Sequence, residues 1–400
     1  MKLKPEAKKA IMIGSLCSLS YLAVYVARNL LGATSPQMLE AGVFSTEAIG
    51  KMSSLYFVAY AVGQLINGFL GERIKASYMI SFGLIFAGGS TFLFPQLEGH
   101  PSAAYFVYGI TGFFLAMIYA PMTKVVAENT DPLYAPRCSL GYTFSSFFGS
   151  PLAGLLAAAF AWQMAFTSTS FILLAMGAAC LSVFALMEKN GIVRYGQYQR
   201  PKSAAGGVQI LLRHQIVKFT LIAAITGVVR TTVVFWLPTY IAQYLGFSAK
   251  TSALLFTVAT FFISMTAFVA VFIYERLHRN MDLTILLAFC SASLFFLLVF
   301  LVKAPVPNII FLVLAILSSN CAASMMWTRY CPGLRDTGMV SSATGFLDFT
   351  SYMAASAASN LFADAVSSIG WGNLILVWLA LMILGIFIAL PRKQTVQPTE

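Results

Sequence analysis

Residues 28–36 read RNLLGATSP, and residues 230–238 read RTTVVFWLP. Each stretch lies in a long apolar run and places a proline eight residues after an arginine; the second copy follows the first by 202 residues. Ionisable residues are rare inside such runs because a charge is costly in an apolar medium. Two arginines with the same spacing therefore indicate an internal repeat.

The repeat continues along the chain in order, at an offset that grows slowly from 202 to 209 residues. The further matched pairs are Glu72-Arg73 with Glu275-Arg276, Gly141 with Gly345, and Trp162 with Trp371. Such a series predicts two related halves that arose by duplication. We assign them to residues 1–188 and 215–400, joined by a linker at residues 189–214 that is polar and basic and contains proline, glycine and serine.

The composition predicts an integral membrane protein whose surface is largely in contact with lipid. Hydrophobic residues make up 59% of it and charged residues only 10%, the mean hydropathy is +0.80, and a soluble domain would carry about 25% charge. A membrane-spanning helix needs about 20 mostly apolar residues, and the runs are continuously apolar, which excludes barrel strands. The predicted spans are residues 11–35, 50–71, 77–96, 102–123, 138–161, 164–187, 216–244, 251–274, 281–302, 307–328, 339–365 and 370–391.

The runs and the repeat together predict an all-α membrane protein with twelve transmembrane helices in two pseudo-symmetric six-helix bundles, an arrangement that resembles the major facilitator fold. We expect the first run to be a span and not a cleaved signal peptide. With twelve spans, 20 of the 25 basic residues fall on the side of the N-terminus, whereas Lys51, Lys250 and Lys303 fall on the other. This asymmetry predicts a multi-pass protein of the cell (inner or plasma) membrane with both termini in the cytoplasm. It also explains the net charge of +11, so we predict no nucleic-acid partner.

Enzymatic chemistry has little support in the sequence. His100, His214 and His278 fall in loops or at helix ends, with no acid or thiol at metal-ligand spacing, and no glycine loop that cradles phosphate is found. The six cysteines lack metal spacing as well. We therefore predict no enzyme activity, no cofactor and no metal.

Arg28 and Arg230 are the strongest candidates for a binding site. An arginine at a helix centre costs about 2.5–3.5 kcal/mol on insertion scales, and two at equivalent positions of a duplicated fold would face each other across the pseudo-twofold axis. Their planar forks suit phosphate or carboxylate, so the ligand should be a small anion. For Arg28 the alternative is that the side chain reaches the outer surface of the membrane.

Further polar residues form two stripes that could line a polar cavity, one on the Arg28 face of the first span and one on the second span. Those on the first two spans, which could instead serve packing, are Tyr25, Asn29, Tyr60 and Gln64. In the eleventh span Asp348 is a third intramembrane charge, one turn before Tyr352. It could hold a proton, pair with Arg230 or receive a cationic group of the substrate, and a purely structural ion pair is an equal alternative.

The segment Gly68-Phe-Leu-Gly71-Glu72-Arg73 resembles the signature of major facilitator proteins between spans two and three, with glutamate in place of the usual aspartate. Its small residues allow close helix contacts. The repeat at Glu275-Arg276 favours this interpretation over an ordinary basic loop.

The chain as a whole resembles the organophosphate:phosphate antiporters, the major facilitator group that includes the glycerol-3-phosphate and hexose-phosphate exchangers. The residues that carry the resemblance are Tyr25-Val-Ala-Arg28 with Pro36, Arg230 with Phe235-Trp236-Leu-Pro238-Thr-Tyr240, and Thr344-Gly345-Phe346 with Tyr352 and the later Gly370-Trp371. The resemblance implies that Arg28 and Arg230 bind a phosphate group at the membrane midplane while the halves rock about it.

Four departures from the family pattern reduce the positive charge of the predicted site. Asn29 and Gln64 stand where the family often has lysines, no histidine lies between His100 and His214, and Asp348 replaces a small residue. A zwitterionic or less highly charged anion therefore fits this sequence as well as a sugar phosphate.

The function predicted from the sequence is antiport of a small organophosphate against inorganic phosphate by a monomeric carrier in contact with membrane lipid. A proton-coupled symporter of an organic anion, with Asp348 as the proton site, is the first alternative. The second is a transporter-like sensor that binds a sugar phosphate without moving it.

Overall fold

The computed structural model describes residues 4–131, 133–195, 211–212, 214–334 and 340–390, without the side chains at positions 68, 69, 71, 72, 136, 139, 143, 144, 146 and 340–342. Twelve long helical segments follow one another in this part of the chain. They are α1 (Pro5–Glu40), α2 (Thr46–Arg73), α3 (Ala76–Leu97), α4 (Pro101–Asn129), α5 (Ala135–Ala159), α6 (Trp162–Lys189), α7 (Ile216–Gln243), α8 (Ala249–Arg276), α9 (Met281–Leu301), α10 (Pro305–Gly333), α11 (Val340–Ser368) and α12 (Gly370–Ala389).

Each predicted span overlaps one of these helices, so the predicted twelve-helix fold is confirmed. Nine of the described segments are long and apolar enough to cross a membrane. The other three, α2, α5 and α11, pack against the opposite half of the molecule. Most of the predicted linker, residues 196–210, lies outside the described residues, and the exact division into 1–188, 189–214 and 215–400 stays a prediction.

Helix contacts between the halves follow a pseudo-twofold pattern. α2 packs against α11, α5 packs against α8, and α1 packs against α7. Exchanging the halves converts α2 into α8 and α11 into α5, so the first two contacts are copies of one another. α1 and α7 exchange with each other, which places Arg28 and Arg230 on the two helices next to the axis.

Local sequence fixes where several of these helices begin. The side chains of Ser45, Ser248 and Asn280 each accept a hydrogen bond from the backbone N–H three residues later, at distances of 3.2, 3.3 and 3.0 Å. Such caps satisfy one of the free N–H groups that every helix start leaves. α1, α4 and α10 instead begin with proline, whose missing N–H costs nothing in the first turn.

Two of the described helices contain a π-helical turn. α7 contains a π-helical turn at Val228–Val233, and α10 contains one at Met326–Tyr330. π-helical turns widen the helix by one residue per turn and are frequent at functional sites. The first of them carries Arg230.

The halves are in close contact at the end of the molecule where α1 ends, which is the end opposite the termini. The hydroxyls of Ser35 and Thr239, which flank the internal prolines of α1 and α7, are hydrogen-bonded at 2.7 Å. A Cβ added to Gly32 would lie 2.8 Å from the carbonyl oxygen of Phe235. Glycine therefore allows the two backbones to meet at this end.

Glu40 adds a contact between the halves that depends on charge. Its Oε1 accepts a hydrogen bond from the backbone N–H of Ala249, in the first turn of α8, at 2.9 Å. A carboxylate at a helix N-terminus is stabilised by the free N–H groups and by the helix dipole, by about 1 kcal/mol. This contact exists only while the end opposite the termini is closed.

We expect Glu40→Ala to increase the population in which this end is open by a factor of about five, the equivalent of 1 kcal/mol. Spin labels at the exposed residues Ser102 and Asn373, one in each half, report the opening as a longer inter-label distance. Glu47→Ala is the matched control, because Glu47 is exposed at the same end and forms no hydrogen bond across the halves within the described residues. Equal distance distributions for the two variants would contradict the assignment of Glu40 to a contact that stabilises the closed end.

Candidate functional site

Arg28 lies on α1 and points towards the other half of the molecule. Its Nη1 donates a hydrogen bond of 2.7 Å to the hydroxyl of Tyr352 on α11. The guanidinium carbon lies 5.4, 5.3 and 4.9 Å from the ring centroids of Tyr25, Tyr60 and Tyr352. The faces of aromatic rings at this distance attract a cation such as the Arg28 guanidinium and stabilise it when it is removed from water. The side chain is thus held inside the protein and does not reach the outer surface.

Arg230 approaches the same tyrosine from α7. Its guanidinium carbon lies 5.8 Å from the ring centroid of Tyr352. Its Nη2 donates to the hydroxyl of Ser351 at 3.4 Å and lies 4.0 Å from Oδ1 of Asp348. The π-helical turn places Arg230 opposite α11, which supplies all three of these partners. Tyr352 is therefore shared by one arginine from each half.

Both arginines line one cavity between the halves, with a volume of about 250 Å³. Among the described residues, the lining comes from five helices, namely α1, α5, α7, α8 and α10. The lining residues with polar or aromatic side chains are Tyr25, Arg28, Asn29, Phe147, Ser150, Arg230, Thr260, Ser264, Thr266, Asn320, Ser324 and Trp327. A cavity of this size fits a small solute.

All eight predicted site residues lie in or beside this cluster; Tyr25, Arg28, Asn29 and Arg230 line the cavity, whereas Tyr60, Gln64, Asp348 and Tyr352 lie behind the lining residues. Asn29 lines the cavity and donates from its amide to the backbone carbonyl of Tyr25 at 2.7 Å. Gln64, on α2, forms a side-chain hydrogen bond with Asp348. Tyr60 packs on Tyr352 with 5.0 Å between the ring centroids. That any of the eight contacts a substrate stays a prediction.

The charges of this cluster leave an excess of one positive charge. Arg28 and Arg230 are permanently protonated, and Asp348 is the one acidic residue among the cavity-lining residues and the partners of the arginines described here. Arg28 is hydrogen-bonded to a neutral hydroxyl, whereas Arg230 faces the carboxylate. An anion is therefore the ligand that the cavity favours electrostatically.

Several lining residues were not predicted from the sequence. Asn320, Ser324 and Trp327 lie on α10, and Ser150 lies on α5. The Oδ1 atom of Asn320 is buried and forms no hydrogen bond within the described part of the chain. A polar residue in the apolar run 307–328 is the signal that could have identified Asn320.

The predicted structural signature lies at the end of the molecule that carries the termini. Arg73, Glu275 and Arg276 are exposed in the last turns of α2 and α8. Gly68, Gly71 and Glu72 belong to the last two turns of α2, but their side chains lie outside the described residues. The contribution of this motif stays a prediction.

Comparison with known proteins places the chain among membrane transporters. The family model described as Major Facilitator Superfamily matches residues 17–359. A stretch of 76 residues is 33% identical to the membrane sensor protein UhpC of Escherichia coli (strain K12) and 30% identical to that of Salmonella typhimurium. Each match spans only 19% of this chain and 17% of the relative.

Solved structures share the fold along almost the whole chain. The xylose transporter XylE from E. coli, in a partially occluded inward-open conformation, covers 98% of this chain and is itself covered to 100%, with a TM-score of 0.73 and 13% identity. The nucleoside transporter NupG covers 95%, is covered to 97%, and has a TM-score of 0.72 at 13% identity. At such low identity the likeness shows the fold alone.

Proposed function

Because the chain belongs to the Major Facilitator Superfamily and is a multi-pass secondary transporter of small substrates, we propose that it exchanges a small organophosphate for inorganic phosphate. The observation that carries the proposal is the contact of Arg28 and Arg230, one from each half, with the single ring of Tyr352. A phosphate group has enough oxygens to accept from both guanidinium forks at once. Such a ligand would connect the two halves directly.

Binding of a phosphate group would replace the present hydrogen-bond partners of Arg28 and Arg230. Arg28 now donates to the neutral hydroxyl of Tyr352, and a phosphate oxygen is the stronger acceptor because it carries negative charge and can accept from both arms of the guanidinium fork. The contact of Arg230 with Ser351, at 3.4 Å, is long and therefore weak. Both arginines therefore have donors available to an anion at low cost.

The position of the site between the halves explains how binding can be coupled to movement. A ligand shifts a conformational equilibrium only by its difference in affinity for the two states. An anion held by an arginine from each half binds best when the halves enclose it, so it favours closure of the cavity. Reopening on the opposite side, with the contact at Ser35 and Thr239 broken, would complete transport.

Exchange in reconstituted vesicles tests this proposal. We expect vesicles loaded with phosphate to take up radiolabelled phosphate, and unlabelled organophosphates added outside to compete with it. Empty vesicles are expected to show uptake at background level, with or without a pH gradient. Uptake into empty vesicles that follows a pH gradient would contradict exchange and favour proton symport with Asp348 as the proton site.

A membrane sensor is the second candidate function, and the similarity to UhpC favours it. A sensor needs the same binding site but no flux. Binding of an organophosphate to the purified protein, combined with absence of exchange in phosphate-loaded vesicles, would support this candidate over the antiporter.

We further propose that the protein is a monomer of the cell membrane with both termini in the cytoplasm. The excess of lysine and arginine on the side of the termini supports this orientation.

A further inference from the structure

Asp348 is a carboxylate beside two arginines that the proposed phosphate site does not need. We infer, on the basis of the proposed function, that the site is built for zwitterionic organophosphates, that is, small phosphate esters or phosphonates that also carry an ammonium group. Arg28 and Arg230 would bind the phosphate, and Asp348 would bind the ammonium.

Charge balance around the two arginines is the first argument; both arginines line the cavity, and Asp348 lies beside Arg230 without lining the cavity itself. A phosphate monoester carries a charge close to −2 near neutral pH, which the two arginines match. Asp348 then leaves a surplus of one negative charge in a site largely removed from water, where an unpaired charge is costly. One ammonium on the substrate removes that surplus, whereas the hydroxyls of a sugar phosphate cannot.

The geometry of the carboxylate is the second argument. Oδ1 of Asp348 lies 4.0 Å from Nη2 of Arg230, at the outer limit for an ion pair and well beyond the 2.7–2.9 Å of a strong one. The side chains of Asp348 and Arg230 remain 26% and 30% exposed. Neither group is therefore fully occupied by the other, and Asp348 can accept a hydrogen bond from a ligand.

The surroundings also suit an ammonium group. Asn320 lines the cavity, and its Oδ1 atom is a buried acceptor that forms no hydrogen bond in the described part of the chain. A ligand that brings donors as well as a phosphate would use this acceptor.

A matched pair of ligands tests the inference on the purified full chain. 2-Aminoethyl phosphate and 2-hydroxyethyl phosphate have the same length and the same phosphate group and differ by one ammonium. We expect the wild type to bind the amino compound at least tenfold more tightly in calorimetric titrations near neutral pH. Asp348→Asn should reduce this ratio to below twofold, through weaker binding of the amino compound and stronger binding of the hydroxy compound.

Asp364→Asn is the control, because Asp364 is an exposed acid on the same helix; its ratio should equal that of the wild type. Equal affinities for the two ligands in the wild type, or a preference for the hydroxy compound, would overturn the inference while leaving the phosphate site intact. The inference also fails if Asp348→Asn weakens the binding of both ligands equally, since this is the result expected when Asp348 only forms a structural ion pair with Arg230. Binding of neither ligand to the wild type would overturn the proposed function and the inference together.

If Asp348→Asn does not fold, the inference is tested by the ratio of the two affinities in the wild type and in Asp348→Glu. The glutamate keeps the charge, and we expect it to retain a preference of severalfold for the amino compound. A preference lost in this charge-preserving variant would count against the role of the carboxylate.

Discussion

Replacing Arg28 or Arg230 by lysine is expected to lower the rate of phosphate exchange at least tenfold, and replacing both is expected to abolish it. Lysine keeps the positive charge but replaces the planar fork with a single ammonium, so it cannot donate two parallel hydrogen bonds to one phosphate. A hydrogen bond to a charged group contributes about 1.5–3 kcal/mol, and the loss of one such bond corresponds to a factor of ten or more. The effect should therefore appear although the net charge of the cavity is unchanged.

Initial rates of exchange in phosphate-loaded vesicles measure this loss, with the amount of folded protein checked for each variant. Arg137→Lys is the matched control: its guanidinium also lies over a tyrosine ring, 5.5 Å from the centroid of Tyr134, but it is exposed at the start of α5. We expect this variant to exchange at the wild-type rate. Full activity in Arg28→Lys together with Arg230→Lys would show that the transported ligand does not depend on either fork.

The helices could be predicted from the sequence because a segment that crosses the lipid bilayer has to be apolar along its length. Their lengths could not, since hydropathy marks the part of a helix that lies in lipid and not the part that is hydrogen-bonded. Hydropathy predicts the first span at residues 11–35, whereas α1 extends over Pro5–Glu40. The additional turns include Glu40, whose contact with α8 holds the halves together.

The candidate site was predictable from two signals, the internal repeat and the polar residues within apolar runs. Arg28 and Arg230 were found because each has a counterpart in the other half. The bond of Arg28 to Tyr352 joins residues 324 positions apart, and no local pattern encodes it. Trp327 and Asn320 were missed for a related reason, because a repeat argument identifies only what both halves share. The π-helical turn under Arg230 likewise has no sequence signature that we could have used.

Gly227→Ala is expected to destabilise the protein and to weaken binding at the site at the same time. Gly227 lies in the turn of α7 before the π-helical turn, directly against Ser351 of α11. A Cβ at this position would lie 2.6 Å from the carbonyl oxygen of Ser351 and 2.8 Å from its Cα. Because both atoms belong to the backbone, α11 as a whole would have to move. Overpacking of this kind costs about 1–3 kcal/mol, which we expect as a drop of several degrees in the unfolding temperature.

The movement of α11 would also carry Asp348 and Tyr352 away from the arginines, because Ser351 is their neighbour in the same helix. We therefore expect the affinity for phosphate to fall together with the unfolding temperature, and calorimetric titration of the folded fraction separates the two effects. Gly89→Ala is the control: Gly89 lies in α3, where an added Cβ would meet no atom of the described residues within 4 Å, and alanine favours a helix by about 1 kcal/mol over glycine. A Gly227→Ala protein as stable as Gly89→Ala would mean that α7 and α11 are not in the close contact on which the geometry of Arg230 depends.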